Sequence, residues 1–142
     1  MSLVLDASAT LAWILERSDA AERSSADALL MRLETDDAMV PAIWPLEVAN
    51  GLLTAERRSL VDVAKSALFL AKVSALRIEI DSRPFRETQA PILHVARAYG
   101  LTSYDASYLE LAIGTGREMA TFDRRLAEAA RAAGVKVFGD PL

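Results

Sequence analysis

The sequence predicts an α/β protein: a three-layer α/β/α domain on a five-stranded parallel sheet. Two observations carry this. Short runs rich in β-branched and aliphatic residues alternate with longer runs of helical periodicity along the whole chain. Strands separated by helices must return by crossovers, which gives a parallel sheet with both faces covered. A third observation concerns chemistry, since two of the strand-like runs end on an aspartate.

Leu3-Val4-Leu5 reads as a buried strand that stops at Asp6, and residues 8–17 read as a helix with Ser8 available as its cap. A second helix covers 20–36, with Ala26, Leu29, Leu30 and Leu33 on one face. Ala38-Met39-Val40 is a strand closed by Pro41, and Trp44 to Arg57 is a helix that tolerates Pro45 in its first turn. Residues 60–75 form a helix through Val61, Ala64, Leu68 and Ala71 or Val73. The third strand is 77–80, followed by a helix from Pro84 to Tyr99 that Gly100 ends. Another helix runs from Thr102 to Ile113, before Gly114. Strand four is Met119 to Phe122, ending at Asp123, and a short helix reaches Ala133 before Gly134. Val135 to Phe138 is the fifth strand.

A chain of 142 residues suits one domain, 1–142, with a sizeable core. Hydrophobic residues at 52% and charged residues at 25% describe an ordinary globular protein and argue against disorder. With no cysteine, disulfides, thiol nucleophiles and thiolate metal sites are excluded, and a reducing cytoplasm is the expected location. The start, MSLVLDAS, lacks the pattern of a signal peptide, and no run of about 18 apolar residues could span a membrane. The net charge of −4 argues against passive nucleic-acid binding, but not against a nuclease whose carboxylates are neutralised by metal.

In an open parallel sheet all strand C-termini share one edge, where ligands bind. Asp6 and Asp123 belong to that edge. Taken singly, either could be no more than the cap of the next helix. Glu47 shares a helix face with Trp44, Val48 and Gly51, where a carboxylate is costly unless paired or metal-bound. Asp105 lines up with Tyr108, Leu109 and Ala112, and its plain alternative is a capping box with Thr102.

Arg57, Arg58, Arg124 and Arg125 fall at helix ends or polar faces, so no matching set of buried cations is expected. Clustered carboxylates raise one another's pKa, and a divalent cation reverses that penalty. All-oxygen ligands favour Mg2+ or Mn2+ over zinc. His94, the single histidine, rules out a multi-histidine site and reads as a packed or surface residue. A triad on Ser8 would have only His94 as its base. Trp13 and Trp44 read as core rather than base-stacking residues, and no glycine-rich phosphate loop is present.

Four segments, in order and spread over nearly the whole chain, carry a family pattern: LVLDASATLAWIL at 3–15, PLEVANGLL at 45–53, LTSYDASYLELA at 101–112 and ATFDRRLAEAARAAGV at 120–135. The chain resembles PIN-domain proteins, more narrowly the VapC-type toxins of bacterial toxin–antitoxin pairs. The resemblance implies acidic active-site residues at Asp6, Glu47, Asp105 and Asp123, with Ser8, Asn50 and Thr121 as supporting polar groups. It also implies a five-stranded parallel sheet, RNA cleavage with Mg2+ or Mn2+, a homodimer and inhibition by a small VapB-type antitoxin. Three other readings stand beside it: a PIN-like binding module without catalysis, a PIN nuclease outside toxin–antitoxin systems, and a metal-dependent phosphatase of small molecules.

Overall fold

The computed structural model describes residues 2–16 and 19–141. Four strands form one parallel sheet in the order β3-β2-β1-β4. They are β1 (Leu3–Leu5), β2 (Ala38–Val40), β3 (Ile78–Ile80) and β4 (Glu118–Ala120). The register sets Leu3 against Ala38 on one side of β1 and against Glu118 on the other. All three residues of β1 are buried, although successive side chains point to opposite faces, so the sheet is covered on both sides at its centre.

The expected fifth strand is not a strand. Residues 135–138 meet the sheet through one parallel bridge, Met119 with Val137. Two backbone bonds hold it, Met119 N to Lys136 O at 2.9 Å and Phe138 N to Met119 O at 2.8 Å. Gly139, at φ 92°, and the turn that includes it end the pairing there. β4 is also shorter than expected: Thr121 and Phe122 lie beyond it, in the loop that leads to Asp123.

The helices are α1 (Ala7–Leu11), α2 (Ala20–Leu33), α3 (Trp44–Arg57), α4 (Val63–Ser74), α5 (Phe85–Tyr99), α6 (Ser103–Thr115) and α7 (Arg124–Ala132). The first is much shorter than the predicted 8–17. It breaks into turns after Leu11, and residue 17 of that prediction lies outside the described part. α6 runs through Gly114 and stops at Gly116, whose φ of 66° gives the left-handed cap. α5 ends as predicted at Gly100, φ 64°.

The predicted inward face of α2 holds at three of its four positions, and that of α4 is out of phase. Leu30 is exposed while Ala26, Leu29 and Leu33 pack inward. On α4 the buried positions are Ser66, Phe69 and Val73, whereas Ala64, Leu68 and Ala71 face outward. Apolar residues surround this helix, so periodicity leaves its inward face undetermined. Asp62 fixes the start instead, accepting from Lys65 N at 2.7 Å.

Candidate active site

The sheet order reverses direction at β1: the chain adds β2 and β3 on one side and β4 on the other. The crevice beyond the C-terminal ends of β1 and β4 is therefore the topological switch point, where open α/β sheets bind ligands. Asp6 follows β1 and its N–H bonds Ala120 O at 3.0 Å, which ties the two strand ends together.

Asp6 is 5% exposed and stands where a helix cap would, yet its side chain makes no capping bond. It accepts instead from two hydroxyls on the same oxygen, Oδ2: Ser8 Oγ at 2.6 Å and Thr121 Oγ1 at 2.7 Å. These hydroxyls are in turn fixed by the β4–α7 loop, since Phe122 N donates to Ser8 Oγ at 3.1 Å and Asp123 N to Thr121 Oγ1 at 3.0 Å. The plain cap explanation therefore fails for Asp6. Burial pushes its carboxyl above the usual range, and the Asp123 charge adds to this, against the two hydroxyl bonds. Asp123 does cap α7, accepting from Leu126 N at 3.0 Å.

Glu47 projects from the first turn of α3 and is half-buried. Tyr108 Oη donates to its Oε1 at 2.5 Å. Burial raises the Glu47 pKa, the phenol lowers it and Asp6 raises it. Asp105 lies in the first turn of α6, where its N–H bonds Thr102 Oγ1 at 3.1 Å. Its carboxyl is pushed up to about 6, first by burial and then by the charges of Asp123, Asp6 and Glu47, with Arg125 pulling the other way.

The charges of Asp6, Glu47 and Asp123 all act on Asp105, so the four predicted carboxylates, from four separate segments, converge on that residue. Among the described residues, however, no three acidic or histidine side chains are gathered into a ready-made cation cage. What fits a hard divalent cation is the chemistry of the donor set, all oxygen and mutually repelling. Ser8 and Thr121 are at the site as predicted. Asn50 is exposed on α3, about one turn beyond Glu47, and bonds none of the carboxylates. His94 is exposed on α5, and Trp44 is core, its Nε1 donating to Thr10 Oγ1 at 3.1 Å.

Sequence reasoning missed two features. Pattern alone shows Tyr108 as an apolar neighbour of Asp105, although a tyrosine on a fully buried stripe signals a needed polar partner. Arg83 forms the second: its Nη1 and Nη2 meet the buried Glu110 at 3.0 and 2.7 Å, and its Nε meets Asp81 at 3.1 Å. Glu110 on the apolar stripe of α6 was the available signal.

The family model for the PIN domain matches residues 3–132. The chain is 34% identical over 130 residues to a protein named Ribonuclease VapC3 from Pyrobaculum aerophilum, covering 90% of this chain and 94% of that one. The crystal structure of PAE2754 from Pyrobaculum aerophilum is similar at 27% identity with a TM-score of 0.68, over 97% of this chain and 92% of that one. The crystal structure of FitAcB from Neisseria gonorrhoeae shares the fold, at 20% identity and a TM-score of 0.61, over 98% and 97% of the two chains.

Proposed function

The chain belongs to the PIN domain family, and from that premise we propose that it is a metal-dependent endoribonuclease, the toxin of a toxin–antitoxin pair. The observation that carries the reading is the crowding of Asp6, Glu47, Asp105 and Asp123 at the switch point, where burial, and after it the charges of the other three, push the Asp105 carboxyl up to about 6. The ribonuclease assignment draws on the relative named Ribonuclease VapC3.

In this reading Asp6, Glu47 and Asp105 hold the metal and Asp123 assists from its cap position. Bound Mg2+ or Mn2+ supplies charge neutralisation at the scissile phosphate and an activated water. The chain's own residues do the rest. Ser8 and Thr121 hold Asp6 ionisable against its burial and fix its rotamer. The Arg125 guanidinium, bonded to Gly100 O, moderates the charge on Asp105. Hydrolysis joins the water oxygen to phosphorus and breaks the bond to the 3′ oxygen, leaving a 5′-phosphate and a 3′-hydroxyl.

The test is cleavage of RNA by purified protein with Mg2+ or Mn2+, and mapping of the cut ends. Cleavage that survives exhaustive EDTA would overturn the metal reading. A small phosphoester hydrolysed in preference to RNA would move the assignment to a phosphatase, and a folded protein that cleaves neither is a binding module.

The partners belong to the same proposal. Leu46, Leu53, Leu68 and Leu70 are exposed apolar side chains on α3 and α4, which supports a homodimer, read by light scattering at micromolar concentration. A VapB-type antitoxin would place an arginine into the acidic crevice, where its planar fork can bond two carboxylate oxygens. Neutralising that arginine should restore cleavage. A cytoplasmic site of action agrees with the lack of cysteine, and no helix among the described residues is long and apolar enough to cross a membrane.

A further inference from the structure

Tyr108 is a buried polar group whose hydroxyl the core does not need. Its relative exposure is 0%, and a phenylalanine would fill the same volume. A phenol shut away from water loses stability unless its hydroxyl is bonded, so the choice of tyrosine calls for a partner. That partner is Glu47 Oε1, at 2.5 Å, on a different helix and 61 positions away. The hydroxyl also lies against the Ala7 N–H, at the start of α1 directly after Asp6. One phenol oxygen therefore sits between the segment that carries Asp6 and the side chain of Glu47. Glu47 Oε2 makes no hydrogen bond to any described residue, so the bond to Tyr108 divides the carboxylate into a held oxygen and a presented one.

We propose that Tyr108 is the positioning residue of the site: from α6 it holds the Glu47 carboxylate so that Oε2 faces a divalent cation shared with Asp6. This rests on the reading of Glu47 as a metal ligand. The physical reason is entropic as well as electrostatic. A glutamate at the start of a helix has three side-chain torsions to fix before it can ligate, and a charge-assisted bond to a rigid buried ring fixes them in advance. Outer partners of metal-binding carboxylates typically govern affinity by about 10–100-fold.

The experiment measures Mn2+ affinity by calorimetry on the full chain, beside the Mg2+ dependence of RNA cleavage. Tyr108→Phe should weaken Mn2+ binding at least about tenfold and raise the Mg2+ needed for half-maximal cleavage by a similar factor, with the circular dichroism unchanged. Mn2+ affinity within about threefold of wild type would overturn the proposal. Glu47→Asp reads the same bond from the other side without touching the core. Its shortened carboxylate should lose the phenol and much of the metal, and wild-type affinity in that variant also overturns the proposal. Glu47→Ala separates this inference from the one beneath it. If that variant binds Mn2+ as wild type does, Glu47 is not a ligand and the underlying reading fails. If it loses Mn2+ and Tyr108→Phe does not, only the positioning role fails. In the Glu47→Ala background the further loss from Tyr108→Phe should vanish, and an additive loss counts against a role exerted through Glu47.

Discussion

Two acidic regions of this protein are built on opposite terms. At the switch point Asp6 and Glu47 are answered by hydroxyls, Asp105 has no side-chain hydrogen bond among the described residues, and all three carboxyls are raised in pKa. Beside β3, Asp81 and Glu110 are answered by the forked guanidinium of Arg83, which their contact holds above its usual pKa. A hydroxyl orients a carboxylate but brings no charge, and Arg125 is the cation that acts on Asp105 there, so the first region keeps an excess of negative charge suited to an incoming cation. The second is closed and serves to join β3 to α6. Like residues thus have different tasks, set by what faces them.

Substitution at the centre of each region should have the largest effects. Asp6→Asn should lower RNA cleavage by about a hundredfold or more, as expected when a group that organises transition-state charge is removed. Its thermal midpoint should hold or rise, because a buried like charge is gone. A folded Asp6→Asn enzyme with full activity would place the chemistry elsewhere. Arg83→Ala should do the reverse. It strands Glu110, whose side chain is 8% exposed, and should cost about 2–3 kcal/mol in denaturant unfolding, less than a fully buried pair because Arg83 itself is partly solvated. Activity per folded molecule should survive, and its loss would mean that the two regions are coupled.

A smaller effect concerns pH in the metal-free protein. Asp105 has a folded-state pKa of about 6 against 3.8 for the unreacted group. Below 3.8 both folded and unfolded states are protonated, so the carboxyl costs nothing. As pH rises towards 6 the unfolded state releases its proton first, and stability is lost through that window. Thermal melts in EDTA should therefore show wild type falling relative to Asp105→Asn between about pH 4 and pH 6, with the gap constant above. A gap independent of pH would show that Asp105 is solvated and unstrained. The mildest change is Asp123→Asn. An asparagine still accepts from Leu126 N, so the cap on α7 persists, and cleavage should fall less than in Asp6→Asn, Glu47→Gln or Asp105→Asn. An Asp123→Asn loss equal to that of Asp6→Asn would make Asp123 a full ligand.

Much of this was legible in the chain itself. The alternation of strand and helix signals gave the parallel α/β class, and adjacent residues alone placed Asp6 directly after β1, whereas Asp123 lies three residues past the end of β4. The bounds of α3 and the glycine that ends α5 followed from local rules, since proline in a first turn and glycine after a last one act within a few residues. Tertiary structure decided the rest. Whether Val135 to Phe138 becomes a strand depends on a neighbour to pair with, and it received one bridge. Which side of α4 turns inward depends on the surface it meets, because apolar residues surround that helix. Whether an aspartate caps or waits for a cation depends on which donors reach it: Leu126 N reached Asp123, while the hydroxyls of Ser8 and Thr121 reached Asp6. The bond from Tyr108 to Glu47 spans 61 positions, and local pattern carries no information at that range. Sequence determined which residues could do chemistry and which elements carry them. The meeting of elements determined their partners, because hydrogen bonds and charge act through space and not along the chain.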